Sequence, residues 1–99
     1  MIRLLAPLLA LALPLAAEEP DRAALQVLAG SCANCHGPDG HSPGAIPSIA
    51  GLPAEETAAK MLAFRDGQDP AATVMPRLMK GYDEAQIRAL AEWFERVDP

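Results

Sequence analysis

Apolar residues recur at helical spacing in three stretches of the chain, and these stretches predict the main elements. The first covers about 20–35, the second covers 54–65, and the third begins near Asp83 and runs towards the last residues. No stretch shows the alternation of apolar and polar residues that is typical of a strand. The apolar positions of the three predicted helices are Ala24, Leu25, Leu28, then Ala58, Met61, Leu62, Phe64, then Ile87, Leu90, Ala91, Phe94 and Val97.

Residues at the ends of these stretches support the same boundaries. Pro20 and Asp21 open the first, where a proline is tolerated and a carboxylate favours the helix dipole. Gly67 lies just past the end of the second. Asp83, with Gln86 three residues later, has the spacing of a capping box. The pattern therefore predicts an all-α chain.

The two connecting segments differ in character. From 37 to 52 the sequence is rich in glycine, proline and serine, but Ile46, Ile49 and Leu52 give it apolar side chains to bury. This composition predicts an ordered loop. The segment from 66 to 82 precedes the third helix and is expected to be extended, because Pro76 stiffens it.

The N-terminus has the organisation of a secretory signal peptide. Arg3 precedes an apolar stretch from Leu4 to Leu13, and small residues follow as far as Ala17. Cleavage is expected after Ala17, which would leave 18–99 as a single domain exported to the periplasm. An uncleaved anchor is the alternative, because Leu15 replaces the small residue that such sites prefer.

Charge and size narrow the functional classes. Loss of Arg3 with the leader leaves seven of the eight Lys and Arg residues against 13 Asp and Glu residues, a net charge of −6. This acidity disfavours a nucleic-acid partner. After the leader no apolar run approaches the roughly 20 residues of a membrane span. A domain this small has a modest core and benefits from a covalent staple.

Cys32, Cys35 and His36 form a C-x-x-C-H sequence, which is typical of covalent attachment of a c-type haem. Two thiols three positions apart face one side of a helical turn, and the adjacent histidine can bind the iron. A zinc site is disfavoured because His41 is the only further ligand of suitable type. A thioredoxin-like pair would need a preceding strand, and a disulfide over so short a loop stabilises little.

The second axial ligand is expected to be a methionine thioether, which is soft and neutral. Met1 leaves with the leader, and Met61 lies on the apolar face of a predicted helix, where methionine usually fills space. Met75 and Met79 remain. The residues alone favour Met75, because Pro76 follows it, and leave Met79 as the alternative.

The chain resembles the class I cytochromes c. The similarity is carried by Leu28, the Cys32–Gly37 motif, Ile46-Pro47-Ser48-Ile49-Ala50-Gly51, Phe64-Arg65-Asp66-Gly67 and Leu90-Ala91-Glu92-Trp93-Phe94. The resemblance implies a small all-α fold of about three helices wrapped around one covalently bound haem c. It also implies that the Pro47 carbonyl accepts a hydrogen bond from His36 Nδ1. Ala24 and Leu28 would meet Leu90 and Trp93 where the first and last helices cross.

More narrowly, 73–82 is similar to the ligand loop of the cytochrome subunit of flavocytochrome c sulfide dehydrogenases. This similarity implies that the iron ligands are His36 and Met75, with Met79 as the fallback. Many of those subunits carry two haem domains, whereas this chain has one motif.

The expected function is single-electron transfer by a periplasmic monohaem cytochrome, which is not an enzyme by itself. The resemblance implies a flavoprotein sulfide dehydrogenase as partner. The alternatives are a free shuttle between redox proteins and a haem enzyme or gas sensor with a labile sixth ligand. Arg77 and Lys80, with Lys60 and Arg65, are expected either to steer a partner towards the haem edge or simply to solubilise the surface.

Overall fold

The computed structural model describes residues 2–7 and 19–99, and within these ranges it contains helices and no strands. This confirms the predicted all-α class. Most of the predicted signal peptide, Met1 and 8–17, lies outside the described residues, so it stays a prediction, as does the domain boundary at 18. No helix of the described ranges is long and apolar enough to cross a bilayer. The helices are α1 (Arg22–His36), α2 (Ala54–Arg65), α3 (Met75–Met79) and α4 (Glu84–Glu95), with a short 3₁₀ turn at Pro38–Gly40.

Helix α1 begins two residues later than the sequence predicts. Asp21 is its N-cap, and the Asp21 carboxylate accepts a hydrogen bond from the Ala24 N–H at 2.8 Å. Such a cap satisfies one of the free N–H groups of the first turn. The helix ends at His36, and Gly37 follows with a φ of 85°, a backbone conformation that a glycine adopts easily. The haem-attachment motif therefore occupies the last turns of α1.

The starts of α2 and α4 are stabilised in different ways. At α4 the predicted capping box is confirmed: the Gln86 N–H donates to the Asp83 carboxylate at 2.8 Å, and the Asp83 N–H donates to Gln86 Oε1 at 2.9 Å. Helix α2 has the predicted bounds, but Pro53 at its N-cap offers no side-chain acceptor. The Ala54 N–H donates instead to the Glu95 carboxylate of α4. The start of α2 therefore depends on a tertiary contact.

The core lies between α4 and the other helices. Ile87 and Leu90 of α4 are completely buried, and α2 and α1 both pack against α4. The contact face of α1 is formed by Leu25, Leu28 and Ala29. Ala24, which was expected to meet α4, is exposed instead. The further buried members of this core are Ala58, Met61, Met79, Ala91 and Phe94, with Trp93 packed against them.

The segment before α4 is helical where an extended conformation was expected. Met75–Met79 forms the short helix α3, and the Val74 carbonyl accepts hydrogen bonds from the Arg77 and Leu78 N–H groups at 3.0 and 3.2 Å. The expectation was wrong because Pro76 falls in the first turn of the helix. A missing N–H costs nothing at that position, since the N–H would have no partner within the helix.

Gly40 closes the loop after α1 onto the core. Its N–H donates to the Gly37 carbonyl at 3.0 Å, and its own carbonyl accepts from the Ile49 N–H at 2.9 Å. The φ of Gly40 is 82°, and a Cβ there would lie 2.9 Å from Ile49 Cγ1 and 3.0 Å from Phe94 Cδ1. Both the backbone conformation and the space therefore require glycine.

We expect Gly40→Ala to destabilise the holoprotein by about 2 kcal/mol or more, because it adds backbone strain to a clash with two apolar side chains. Gly30→Ala is the matched control. Gly30 lies within α1, and a Cβ there would meet nothing within 4 Å. This control is expected to stabilise the protein by roughly 0.5–1 kcal/mol through helix propensity. Thermal unfolding followed by circular dichroism measures both changes, and equal effects of the two substitutions would contradict the assignment.

Candidate functional site

A cavity of about 740 Å³ opens among the helices and the two loops. Its volume lies within the range of small-molecule and cofactor sites. Most of the wall is apolar. The lining side chains include Ile46, Ile49, Met61, Val74, Met75, Leu78, Met79 and Phe94, together with Ser31, Cys32, Cys35, His36, Pro47, Thr57 and Tyr82. An apolar cavity of this size in so small a protein is suited to a large, mostly apolar ligand.

The last turns of α1 bring the attachment motif to the wall of this cavity. Cys32, Cys35 and His36 all line it, and the two cysteines are not bonded to each other. Burial raises the pKa of the Cys32 thiol, because a thiolate is costly among apolar neighbours. The geometry thus presents two free thiols and an imidazole to one ligand.

His36 is held by the loop that follows the motif. Its Nδ1 lies 2.6 Å from the Pro47 carbonyl oxygen, which is the contact that the resemblance implied. A carbonyl can only accept, so Nδ1 carries the proton and donates it. The other ring nitrogen, Nε2, is then left with its lone pair. Such a bond fixes the ring orientation and makes the imidazole a better metal donor.

Three methionines line the cavity, and their burial differs. Met61 and Met79 belong to the core, with 8% and 2% of their surface exposed. Met75 is only partly buried and packs against the edge of that core. Met79 is therefore already needed for packing, whereas the Met75 thioether is less committed to it. This difference favours Met75 as a ligand, although both side chains reach the cavity.

A side-chain hydrogen bond ties α1 to the turn that follows α3. Ser31 Oγ donates to the Leu28 carbonyl at 2.7 Å and lies 3.2 Å from the Tyr82 hydroxyl. The single hydroxyl proton of Ser31 is used in the first bond, so Tyr82 donates in the second. Both side chains line the cavity. This bond was not foreseen from the sequence, since the two residues are 51 positions apart.

We expect Tyr82→Phe to loosen the segment that carries Met75, because it removes this link while keeping the ring. Exogenous imidazole should then displace the methionine from ferric iron more readily than in the unmodified protein. Ser31→Ala removes the acceptor of the same hydrogen bond. A double-mutant cycle on the free energy of imidazole displacement should therefore give a coupling energy of about 0.5–1.5 kcal/mol between the two residues. A coupling of zero would show that the two hydroxyls do not act together.

The alternatives to a haem site find no support in the described part of the chain. Residues 2–7 and 19–99 contain no group of three or more His, Cys, Asp or Glu side chains that could hold a metal ion. His41 is exposed, as expected for a surface residue. The helical surroundings of Cys32 and Cys35 also differ from the strand and crossover of a thioredoxin-like site.

The residues of the cavity fit a covalently attached haem. Two thiols and an imidazole with a free Nε2 come from α1, and a thioether is available from α3. Thr57 also lines the cavity, and its hydroxyl oxygen is buried without a protein partner. The two thiols, the imidazole and the thioether are the donor types that c-type haem requires.

Comparisons with known proteins agree with this chemistry. The family model described as Cytochrome c matches residues 22–98. Over 69 residues the chain is 42% identical to the cytochrome subunit of sulfide dehydrogenase from Chlorobaculum tepidum (strain ATCC 49652 / DSM 12025 / NBRC 103806 / TLS). The alignment covers 70% of this chain and 62% of that protein, so it spans less than two thirds of the relative.

Proposed function

This chain belongs to the cytochrome c family, and from that membership we propose that it accepts single electrons from a flavoprotein sulfide dehydrogenase, as a subunit or a partner, in the periplasm. The coarser function follows from the family: the chain is an electron-transfer protein with one covalently bound haem c. The observation that carries the proposal is the cavity wall, where the attachment motif, an oriented imidazole and a thioether converge.

The chain's own residues divide the work of holding the cofactor. Cys32 and Cys35 would form the two thioether bonds, and His36 Nε2 and Met75 Sδ would supply the axial ligands, with Met79 as the fallback. Pro47 orients His36 through its carbonyl. When bound, the haem supplies a one-electron ferric–ferrous couple. Two axial ligands from the protein leave no open position for a substrate, so we infer electron exchange rather than catalysis.

The apolar wall of the cavity also supports electron transfer. Met61, Met79 and Phe94 are buried and line the cavity, so they exclude water from the cofactor. A dry site and a thioether ligand both favour the reduced state over a water-exposed site with harder ligands. This environment suits a carrier that must accept electrons readily.

The partner is proposed from the relative, which is named as a subunit of sulfide dehydrogenase. A flavin in such a partner would release electrons that this chain takes up one at a time. The export signal expected over 1–17 supports a periplasmic location. A free shuttle between other redox proteins is the second candidate, since the family alone is compatible with it. A haem enzyme or sensor is less well supported, because Met75 and Met79 both reach the cavity.

Copurification tests the partner. The holoprotein, carrying an affinity tag and expressed in its native host, is isolated under mild conditions, and the eluate is assayed for flavin and for sulfide-dependent haem reduction. We expect a flavoprotein in a fixed ratio to haem and haem reduction on addition of sulfide. A free shuttle would elute without flavin, and its haem would not be reduced by sulfide.

Two exposed cations belong to a segment that lines the cavity. Arg77 and Lys80 are exposed and belong to the same segment as the cavity-lining Val74 and Leu78, which are 60% and 49% exposed. Arg65 is less available, since it pairs with Asp66 at 3.6 Å. We propose that Arg77 and Lys80 steer an acidic face of the partner towards the cofactor.

Reversal of Arg77 and Lys80 to Glu is therefore expected to slow electron transfer from the donor about tenfold or more at low salt and little at high salt. Stopped-flow reduction at two ionic strengths measures this change. Arg22→Glu with Arg96→Glu is the control, because it changes the net charge equally at exposed positions outside the segment 71–82. Equal slowing by both pairs would mean that overall charge, rather than this surface, matters.

A further inference from the structure

Ser48 directly follows the proline whose carbonyl orients His36. The Pro47 carbonyl and the Ser48 N–H belong to one planar peptide unit, so the carbonyl can turn away from the imidazole only if that unit moves at Ser48 as well. On the other side, the pyrrolidine ring fixes the φ angle of Pro47. The direction of the carbonyl therefore depends on where Ser48 is held.

The Ser48 side chain is bonded to the part of the loop that lies just after the haem-attachment motif. Ser48 Oγ accepts a hydrogen bond from the Ser42 N–H at 2.9 Å. The next residue adds a second link, since the Ile49 N–H donates to the Gly40 carbonyl at 2.9 Å. One side-chain and one backbone hydrogen bond thus join residues 40–42 to residues 48–49.

Ser42 is itself held in place relative to His36. The Gly37 N–H donates to the Ala33 carbonyl in the last turn of α1 at 3.0 Å, and the Gly40 N–H donates to the Gly37 carbonyl at 3.0 Å. The backbone between the imidazole and Ser42 is therefore a hydrogen-bonded turn that continues the helix. A side chain that is bonded to Ser42 fixes the following loop relative to the imidazole.

Water can compete for the hydrogen bond between the imidazole and the carbonyl. Pro47 and Ser48 are both exposed, and His36 is only partly buried. A hydrogen bond that replaces bonds to water contributes little net free energy, so its persistence depends on how well the chain holds the two groups together. A tether at Ser48 reduces the conformational freedom that this bond must otherwise overcome.

We propose that Ser48 is a positioning residue for the axial histidine: its hydroxyl holds the Pro47 carbonyl against His36 Nδ1 and so maintains the strength of the imidazole as a donor to iron. The proposal rests on His36 as the proposed iron ligand and does not depend on the sulfide dehydrogenase partner.

The test compares three substitutions in the holoprotein. Ser48→Ala removes the acceptor, and Ser48→Thr keeps a hydroxyl at the same position. Ser42→Ala is the matched control, because the Ser42 hydroxyl is bonded to Gly44 at the tip of the loop, at 3.3 and 3.4 Å. This control removes the other hydroxyl of the pair but keeps the backbone N–H that donates to Ser48.

NMR of the reduced, diamagnetic holoprotein reports on the His36 Nδ1 proton. In Ser48→Ala its resonance should move to lower frequency, and its exchange with water should accelerate about three- to tenfold, as expected for a weakened hydrogen bond. The imidazole then becomes a poorer donor to ferric iron, so the reduction potential should rise. Ser48→Thr and Ser42→Ala should keep the values of the unmodified protein. An unchanged Nδ1 proton or potential in Ser48→Ala would overturn the proposal, as would changes of the same size in either of the other variants.

A second measurement needs no substitution, so it remains decisive if Ser48→Ala fails to mature. In the unmodified holoprotein the Ser42 amide proton should exchange slowly, because Ser48 Oγ accepts it, and exchange at the rate of a free amide would overturn the proposal. The same spectra check the ligand, since the haem ring current displaces the carbon-bound ring protons of an iron-bound His36. Undisplaced ring protons would overturn the ligand assignment and this proposal together. Failure of the partner assignment would appear separately, in the copurification.

Discussion

Met75→Leu is expected to abolish the low-spin spectrum of a haem with histidine and methionine ligands. Leucine keeps the volume and the apolar character of the side chain but has no sulfur to bind iron. The weak charge-transfer band at the red end of the ferric spectrum, which arises from the sulfur–iron bond, should disappear. Loss of a soft ligand that favours ferrous iron should also lower the reduction potential markedly.

Met79→Leu is the matched control, because Met79 is also a methionine of α3 that lines the cavity. Its side chain is 2% exposed, so a leucine should fill its place at a cost below about 1.5 kcal/mol. The ferric band should persist in this variant. Leucine is a better control than alanine here, since Met79→Ala would open a core cavity and destabilise the protein by about 2–5 kcal/mol. If the band is lost only in Met79→Leu, the ligand is Met79.

The haem-free chain is expected not to fold. Cys32→Ser combined with Cys35→Ser removes both covalent attachments, and the cavity of about 740 Å³ then lacks its filling. Without the cofactor, the apolar side chains that it would cover face water, and each loses roughly 1.5–3 kcal/mol of burial. A typical domain is stabilised by only roughly 5–15 kcal/mol, so the loss over several side chains is enough to unfold it. The wall would have to collapse or admit water, and either change would disrupt the packing of α2 and α4.

Circular dichroism and thermal melting check this outcome. The double variant should show little ordered helix and no cooperative transition, whereas the single variants Cys32→Ser and Cys35→Ser should retain haem through one thioether and melt cooperatively. A cooperative transition in the haem-free double variant would show that the polypeptide core is sufficient. In that case the cavity would be a feature of a stable apoprotein.

Local sequence chemistry was sufficient for both ends of α2 and for the start of α4. The capping box at Asp83 and Gln86 depends on residues three apart, and both of its hydrogen bonds are present. The bounds of α2 follow from apolar spacing between Pro53 and Gly67. The attachment motif is local in the same sense, because three residues within one and a half turns define it. Interactions over so few residues need no knowledge of the rest of the fold.

Contacts between residues far apart in the sequence could be predicted only in part. The His36–Pro47 contact was anticipated through resemblance to a known family, and the structure places the two atoms at 2.6 Å. The Ser31–Tyr82 hydrogen bond and the capping of α2 by Glu95 left no signal in the sequence. Helix α3 was missed because a proline was taken as a sign of an extended segment, although it lies in the first turn.

The sequence by itself determined the helical class and predicted the haem-attachment residues and the two candidate methionines, because each depends on residue type and short spacing. Only the tertiary structure decided which side chains share the cavity, that Met79 is buried while Met75 is less committed to the core, and that the Thr57 hydroxyl is left without a partner. Burial and pairing are properties of the surroundings that several elements build together. No local pattern specifies them, since the same threonine on the outer face of α2 would be solvated.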